Sequence, residues 1–312
     1  MKVAITGSTG LLGSALARSL TDDGHRVVRL VRRPARTGDE ARWDPDNGTV
    51  DTGPLAGADA VVHLAGAPLG PARWTTARRR AIRQSRVAGT RTLAAALAGM
   101  DAPPGRLLSG SAVGYYGDTG DQAVDESGDK GQGFLSDVCR DWERATAEAE
   151  EAGIATAHLR TGVALSGSGG LLGTVLPLFR LGLGGRLGDG RQYMSWISLR
   201  DHVGAMRFLL ERPDLTGPFD LCAPEPVINA AYTRAVAAAV GRPAPLPVPA
   251  FAMRAALGGF ADEAALVSQR VLPARLEEAG FAFAHPTLGP ALMEAVSEGS
   301  GSDGSGSEGS GR

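Results

Sequence analysis

Residues 6–13 read TGSTGLLG, directly after the apolar run KVAI and directly before ALARSL. A strand, a glycine-rich turn and a helix in that order leave the chain few folds to enter. Gly7, Gly10 and Gly13 carry the spacing G-x-x-G-x-x-G. The first glycine permits the tight turn, the second lets backbone approach a pyrophosphate, and the third lets the helix pack on the strand. The first N–H groups of the helix, with their partial positive charge, then face phosphate. Thr9, Leu11 and Leu12 belong to the same turn and are assigned with the glycines to a cofactor grip. Three spaced glycines carry little weight alone in a chain with 44 of them. The flanking strand and helix give them weight, and an ordinary βα turn is the alternative.

The same alternation continues. Residues 3–6, 25–32, 58–66 and 153–165 read as strands and 106–116 as a strand running into a loop; 11–20, 75–97 and 134–153 read as helices. Such alternation predicts an α/β fold, a Rossmann-type doubly wound parallel sheet covered on both faces. Residues 1–165 form the nucleotide-binding domain, with later segments returning to it. Beyond residue 166 the rhythm changes. SGSGGLLG opens a loop, 172–181, 200–211 and 229–241 read as helices, RPAPLPVP is a stiff connector, and 269–288 reads as helix, strand and turn. Residues 166–296 are therefore expected to be a smaller C-terminal α/β substrate region that closes over the carboxyl ends of the strands. Residues 297–312, SEGSGSDGSGSEGSGR, contain no apolar side chain and read as a solvated, disordered tail.

At the end of the second strand stand Arg32 and Arg33, where an NAD site would carry a carboxylate for the ribose hydroxyl. Guanidinium clamps a 2′-phosphate, so NADP(H) is favoured over NAD(H). Two solvated surface arginines are the alternative. The net charge of −2 excludes a global pull toward nucleic acid or membrane. The arginines at 73, 78, 79, 80, 83, 86 and 91 spread around more than one helix face with few aromatics between them, which reads as solvation rather than nucleic-acid binding. Cys139 and Cys222 lie outside any metal-type spacing, so no metal site is expected. MKVAITG carries no charged-then-apolar leader, and no apolar run approaches the roughly 20 residues of a membrane span. The expectation is a reduced, cytoplasmic protein.

These features together resemble the short-chain dehydrogenase/reductase superfamily, in its NAD-dependent epimerase/dehydratase branch. TGSTGLLG is similar to that branch's cofactor motif. VVHLAG is similar to its fourth-strand motif, which implies that Leu64, Ala65 and Gly66 lie beside the cofactor. LLSGSAVGYYGD resembles its serine motif. RWTTARRRAIRQSRV, GLGGRLGDGRQYMSWI and RVLPARLEEAGFAFAHPTL extend the likeness over nearly the whole chain. They resemble an atypical subgroup of epimerase-family oxidoreductase proteins with a C-terminal domain of unknown function, whose substrates are largely undefined.

In that superfamily a Ser and a Tyr share the substrate oxygen, and a Lys four residues after the Tyr stabilises phenolate. The physical need is plain, because free Tyr titrates near roughly 10, and i and i+4 share a helix face. Ser111 matches the serine, while Phe134 and Val138 occupy the Tyr and Lys positions. None of Tyr115, Tyr116, Tyr193 and Tyr232 has Lys four residues later. The remaining catalytic candidates are Ser111, Tyr115 and Tyr116, with a pocket-wall role as the alternative for the tyrosines. Asp137, Cys139 and His63 read as surface, core and packed residues. Arg73, Trp74, Arg191, Gln192 and Trp196 are assigned to the substrate pocket with Asp201; core packing is an equal reading for Trp196, as is a helix N-cap for Asn229. The expected function is NADP(H)-dependent oxidoreductase or epimerase chemistry on a small carbonyl or hydroxyl compound or nucleotide sugar. A non-catalytic NADP(H)-binding sensor or scaffold is the alternative. The expected partner is a small molecule, with no nucleic acid and no membrane; self-association as a homodimer is left open.

Overall fold

A computed structural model describes residues 1–70 and 72–301. The opening unit is β1 (Lys2–Thr6), α1 (Leu11–Asp22) and β2 (Arg26–Val31). Two strands follow that the sequence reading did not anticipate, β3 (Glu40–Asp44) and β4 (Thr49–Val50). The amino-terminal half continues through β5 (Ala60–His63), α2 (Thr76–Ala98), β6 (Arg106–Ala112), β7 (Ala123–Val124), α3 (Phe134–Arg144), α4 (Ala147–Glu151) and β8 (Ala155–Thr161). Then come β9 (Val163–Leu165), α5 (Gly170–Arg180), β10 (Tyr193–Met194), β11 (Trp196–Ser198), α6 (Leu199–Leu210), β12 (Gly217–Leu221), β13 (Val227–Ile228) and α7 (Asn229–Ala239). The chain finishes with α8 (Ala250–Leu257), β14 (Arg270–Val271), α9 (Ala274–Glu278) and α10 (Leu288–Gly301).

Eight strands form the central sheet in the order β12-β8-β6-β5-β1-β2-β3-β4. All neighbours are parallel except β3 and β4. Alternate residues of β1 feed opposite cores, as the period of two requires. Val3 and Ile5 pack with Leu16 and Leu20 of α1 and Leu209 of α6; Ala4 packs with Val28 and with Leu93 of α2. The strand order reverses beside β1, and a crevice opens there at the carboxyl ends of β1 and β5.

The strand that runs into a loop within 106–116 keeps that reading, ending at Ala112 before a 3₁₀ turn at Val113–Tyr116. Several other expectations are corrected. The 134–153 helix breaks after Arg144, where the Thr146 hydroxyl bonds back to the Glu143 carbonyl at 2.6 Å. The 153–165 strand splits at Gly162, where a Cβ would lie 2.6 Å from the Ser195 carbonyl oxygen. Beyond that point β9 leaves the central sheet and pairs with β11. In 269–288 the strand comes first, and no second strand follows among the described residues. Helix α8 was not anticipated after the proline-rich stretch. Helix α10 carries residues 297–301 of the expected tail, because Ala291, Leu292 and Ala295 anchor it in a core with Leu165 and Leu172. Residues 302–312 of that tail lie outside the described residues. β12 returns to the edge of the central sheet beside β8. No helix among the described residues is long and apolar enough to cross a membrane.

Candidate active site

The glycine turn is built by close approach. Gly7 has φ 68°, in the left-handed region that favours glycine. A Cβ on Gly13 would lie 2.3 Å from the Gly7 carbonyl oxygen, so only glycine lets α1 start this close to β1. Gly10 meets only the Gly7 carbonyl oxygen, at 3.3 Å, and leaves its outer side open. No side chain caps the N-terminus of α1 and no acidic residue stands in its first turn. Its free N–H groups therefore suit an anionic ligand. The adjoining strand end is fixed by Thr6. Its Oγ1 accepts the N–H groups of Leu64 and Ala65, each at 3.1 Å, and lies 2.7 Å from His63 Nδ1. With two donors on its oxygen, Thr6 gives its proton to Nδ1, which leaves the ring proton on Nε2. Burial pushes the His63 imidazole down to about 4, so it is neutral and structural, as the sequence suggested.

A cavity of about 850 Å³ opens from this turn. Gly7, Thr9, Gly10, Arg32, Arg33, Leu64, Ala65 and Gly66 line it. Leu11, Leu12 and Gly13 do not; Gly13 acts through helix packing, and Leu11 lies against the Gly169–Gly170 loop. Trp43 and Asp46, on and after the unanticipated β3, also line the cavity. The two arginines are not equivalent. Arg33 grips Glu40 of β3 with both Nη atoms, at 2.8 and 2.5 Å. The Arg33 guanidinium, helped by the Arg36 N–H, holds the Glu40 carboxyl at about 2. Arg32 is exposed, with no side-chain hydrogen bond or ion pair among the described residues.

Two of the three expected catalytic residues, Ser111 and Tyr116, fall into one buried polar network. Ser111 Oγ donates to Glu143 Oε1 at 2.7 Å. Arg160 holds the same carboxylate through Nε at 2.8 Å and Nη2 at 2.9 Å. Arg160 Nη1 also donates to the Tyr116 hydroxyl at 2.9 Å, which in turn donates to Asp220 Oδ2 at 2.7 Å. The Asp220 N–H ends on Glu126 Oε1 at 2.9 Å. Tyr116 is 3% exposed. Burial, then the neighbouring Asp220 charge, pushes its hydroxyl well above the usual tyrosine range. Tyr116 is thus a strut of the network and not an acid facing substrate, which corrects the sequence assignment. Tyr115 is half-buried, its ring covered by the Arg160 guanidinium at 3.6 Å, and its hydroxyl has no hydrogen bond among the described residues.

Residues 3–134 match the NAD dependent epimerase/dehydratase family, and residues 248–295 match a domain of unknown function, DUF1731. Epimerase family protein MT2273 of Mycobacterium tuberculosis is 49% identical, over 95% of this chain and 97% of its own. The chain belongs to this epimerase family. Bovine SDR39U1, another member, is 36% identical over 95% of this chain and all of its own. The crystal structure of human SDR39U1 with NADPH superposes with a TM-score of 0.86 at 31% identity, covering 95% of this chain and 99% of that one. A nucleoside-diphosphate sugar epimerase from Corynebacterium glutamicum gives a TM-score of 0.79 at 38% identity, over 95% of this chain but 58% of the other.

At the two positions where the sequence resemblance implies Tyr and Lys stand Phe134 and a fully buried Val138. Phe134 opens α3, and the Glu263 carboxylate caps that helix by accepting the N–H groups of Phe134 at 2.9 Å and Leu135 at 3.0 Å. Ser136 Oγ donates to the Tyr115 carbonyl at 2.7 Å, which seats α3 on the loop after β6. Trp74 is buried edge-on between Phe134 and Phe260, with centroids 5.7 and 5.5 Å away. Arg73 Nη1 donates to the Ala255 carbonyl at 2.9 Å. These contacts bring the matched C-terminal segment onto α3, a join that no local motif announces.

The remaining pocket assignments divide. Gln192 is buried and ties the Leu187 and Ala265 carbonyls together at 3.2 and 3.3 Å. Trp196 is fully buried, with Nε1 on the Glu225 carbonyl, so it belongs to the core and not to a pocket. Arg191 is exposed and apart from the cavity. Asp201 accepts the N–H groups of Ala284 and His285 at 2.7 and 2.9 Å and pins that segment to α6. Asn229 does not cap α7; its Oδ1 accepts the Leu187 N–H at 2.8 Å. Asp137 sits at the surface with Lys130 at 2.9 Å, and burial pushes the Cys139 thiol up to about 12.

Proposed function

We propose that this chain binds NADP(H) and acts as an oxidoreductase or epimerase on a small carbonyl or hydroxyl compound, nucleotide sugars included. The observation that carries the reading is the cavity itself. It joins an open glycine turn to an unpaired guanidinium, Arg32, at the end of β2. The turn's N–H groups suit a diphosphate, and Arg32 suits a 2′-phosphate that a carboxylate at this position would repel. The human relative crystallised with NADPH supports the same choice. A nicotinamide coenzyme supplies or accepts hydride when bound. The chain's own residues hold the coenzyme and orient the reacting oxygen. Ser111, outside the lining of the cavity, keeps its proton on Glu143, so its oxygen can accept from a substrate hydroxyl; as hydride leaves that carbon the hydroxyl proton would pass to Ser111 and the Ser111 proton to Glu143, and carbonyl reduction would run the same path in reverse. Glu143, clamped by Arg160, holds Ser111 in that orientation. Tyr115 contributes a wall.

A second reading, a coenzyme-binding sensor, draws on one observation: Phe134, Val138 and the locked Tyr116 leave no tyrosine–lysine pair. The experiment measures thermal stabilisation by NADPH and NADH, then NADPH consumption across aldehydes, ketones and nucleotide sugars. Turnover lost in Ser111→Ala supports the enzyme. Tight NADPH binding with no turnover on any substrate favours the sensor.

A further inference from the structure

We propose that the seam between the start of α2 and residues 255–263 binds an oxyanion of the substrate, with Arg79 as the anchor. The inference rests on the coenzyme reading above and adds a substrate class: a small molecule carrying a carboxylate or phosphate ester. In the sequence, Arg79 reads as one of many solvated arginines. Its setting says otherwise.

Arg79 is half-buried, with its guanidinium 5.3 Å from the centroid of the Phe134 ring. Among the described residues its side chain has no hydrogen bond and no ion pair. Its tip reaches the C-terminal segment, where a Cβ on Gly259 would lie 2.3 Å from Nη2. Glycine at 259 therefore makes the room in which this guanidinium sits. Three neighbouring arginines are turned to main-chain carbonyls: Arg73 to Ala255, Arg78 to Pro68 and Arg86 to Ala67. A carbonyl oxygen takes an N–H without cancelling the charge. None of these four arginines has a carboxylate within 4.0 Å among the described residues. Glu263, in the same seam, has both oxygens on the N–H groups of Phe134 and Leu135.

The seam is thus a local excess of positive charge beside an apolar wall of Phe134, Trp74 and Phe260. A guanidinium lying on an aromatic face keeps its edge free for a bidentate oxyanion. Ala67 and Pro68, whose carbonyls hold two of the arginines, line the coenzyme cavity. An anion on Arg79 would fix the orientation of the rest of the substrate.

The test uses the full chain with saturating NADP⁺, which fills the phosphate grips of the coenzyme cavity. Phenyl phosphate, phenylacetate and uncharged benzyl alcohol are titrated by ligand-observed NMR. At least one anion is expected to saturate and to bind more tightly than the alcohol; which one does so identifies the oxyanion. Arg79→Gln is expected to weaken that anion at least about tenfold. Gly259→Ala, which crowds the guanidinium without removing it, is expected to weaken it less. Arg91→Gln, an exposed change on the same helix, leaves it unchanged. Anions no tighter than the alcohol, or Arg79→Gln equal to wild type, would overturn the proposal. NADP⁺ affinity of each variant is measured alongside. If the wild-type chain takes no NADP⁺ the coenzyme reading fails, and the phenylacetate comparison without coenzyme still decides the seam.

Discussion

Arg160 is the residue on which the buried network around Ser111 turns, and replacing it by Met gives a sharp forecast. Its side chain is 4% exposed and its partner Glu143 13%. Removing one member of such a pair strands the other charge in the interior, at about 3–5 kcal/mol. Glu143 would keep only the Ser111 hydroxyl, and Tyr116 would lose one of its two partners. Against a total stability of roughly 5–15 kcal/mol, that is about a fifth or more. At about 2–4 °C per kcal/mol, the melting temperature should fall by roughly 10 °C. Urea unfolding and differential scanning fluorimetry read both quantities. Arg160→Met combined with Glu143→Leu should recover much of the loss, because no bare charge remains. NADPH affinity should survive in any folded fraction, since Arg160 does not line the coenzyme cavity. A single variant within about 1 kcal/mol of wild type would refute the reasoning, because a surface pair behaves that way and a buried one does not.

Three further outcomes are expected. Arg32→Ala should weaken NADPH by about 1.5–3 kcal/mol, about 10- to 150-fold, with NADH nearly unchanged in fluorescence titrations. Arg33→Ala should do less, because Glu40 already holds that guanidinium; the reverse ranking would disprove the assignment. Gly13→Ala must push α1 off β1, so it should lose about 1–3 kcal/mol of stability and most NADPH binding; a variant that melts and binds like wild type would show that the close approach is not needed. Burial holds His63 and His202 neutral, each at about 4 against an ordinary 6.5. The unfolded chain then binds more protons between those values, so stability is full above about pH 6.5 and falls toward pH 4, by about 1.4 kcal/mol per pH unit for each histidine. Urea titrations from pH 7 to 4.5 measure this slope, and His63→Asn with His202→Asn should flatten it. A wild-type slope of zero would contradict both burials.

What the sequence made legible was local. The turn at Gly7, Gly10 and Gly13 is dictated by backbone geometry within a few residues, and its strand and helix stand within a residue or two of expectation. β3 escaped because EARWD is short and charged, though Ala41 and Trp43 alternate inward. Missing it hid Trp43 at the cavity and the Glu40 that separates Arg33 from Arg32. Tyr116 was misread for a different reason. Its position after Ser111 suggested a reactive hydroxyl, but its partners Arg160 and Asp220 lie 44 and 104 residues away. No spacing rule reports such a contact. The Glu263 cap on α3 spans 129 residues and was equally invisible. The Arg79 seam belongs to this class: its charge was visible in the sequence, while the glycine and the aromatic wall that shape it come from distant segments.

On the proposed reading, a phosphorylated nicotinamide nucleotide occupies the cavity at the carboxyl ends of β1, β2 and β5. Calorimetric titration of the intact chain with NADPH and with NADH tests it most directly. One saturable site per chain is expected, holding NADPH at least about tenfold more tightly than NADH. No saturation with either nucleotide, or equal affinity for both, would contradict it.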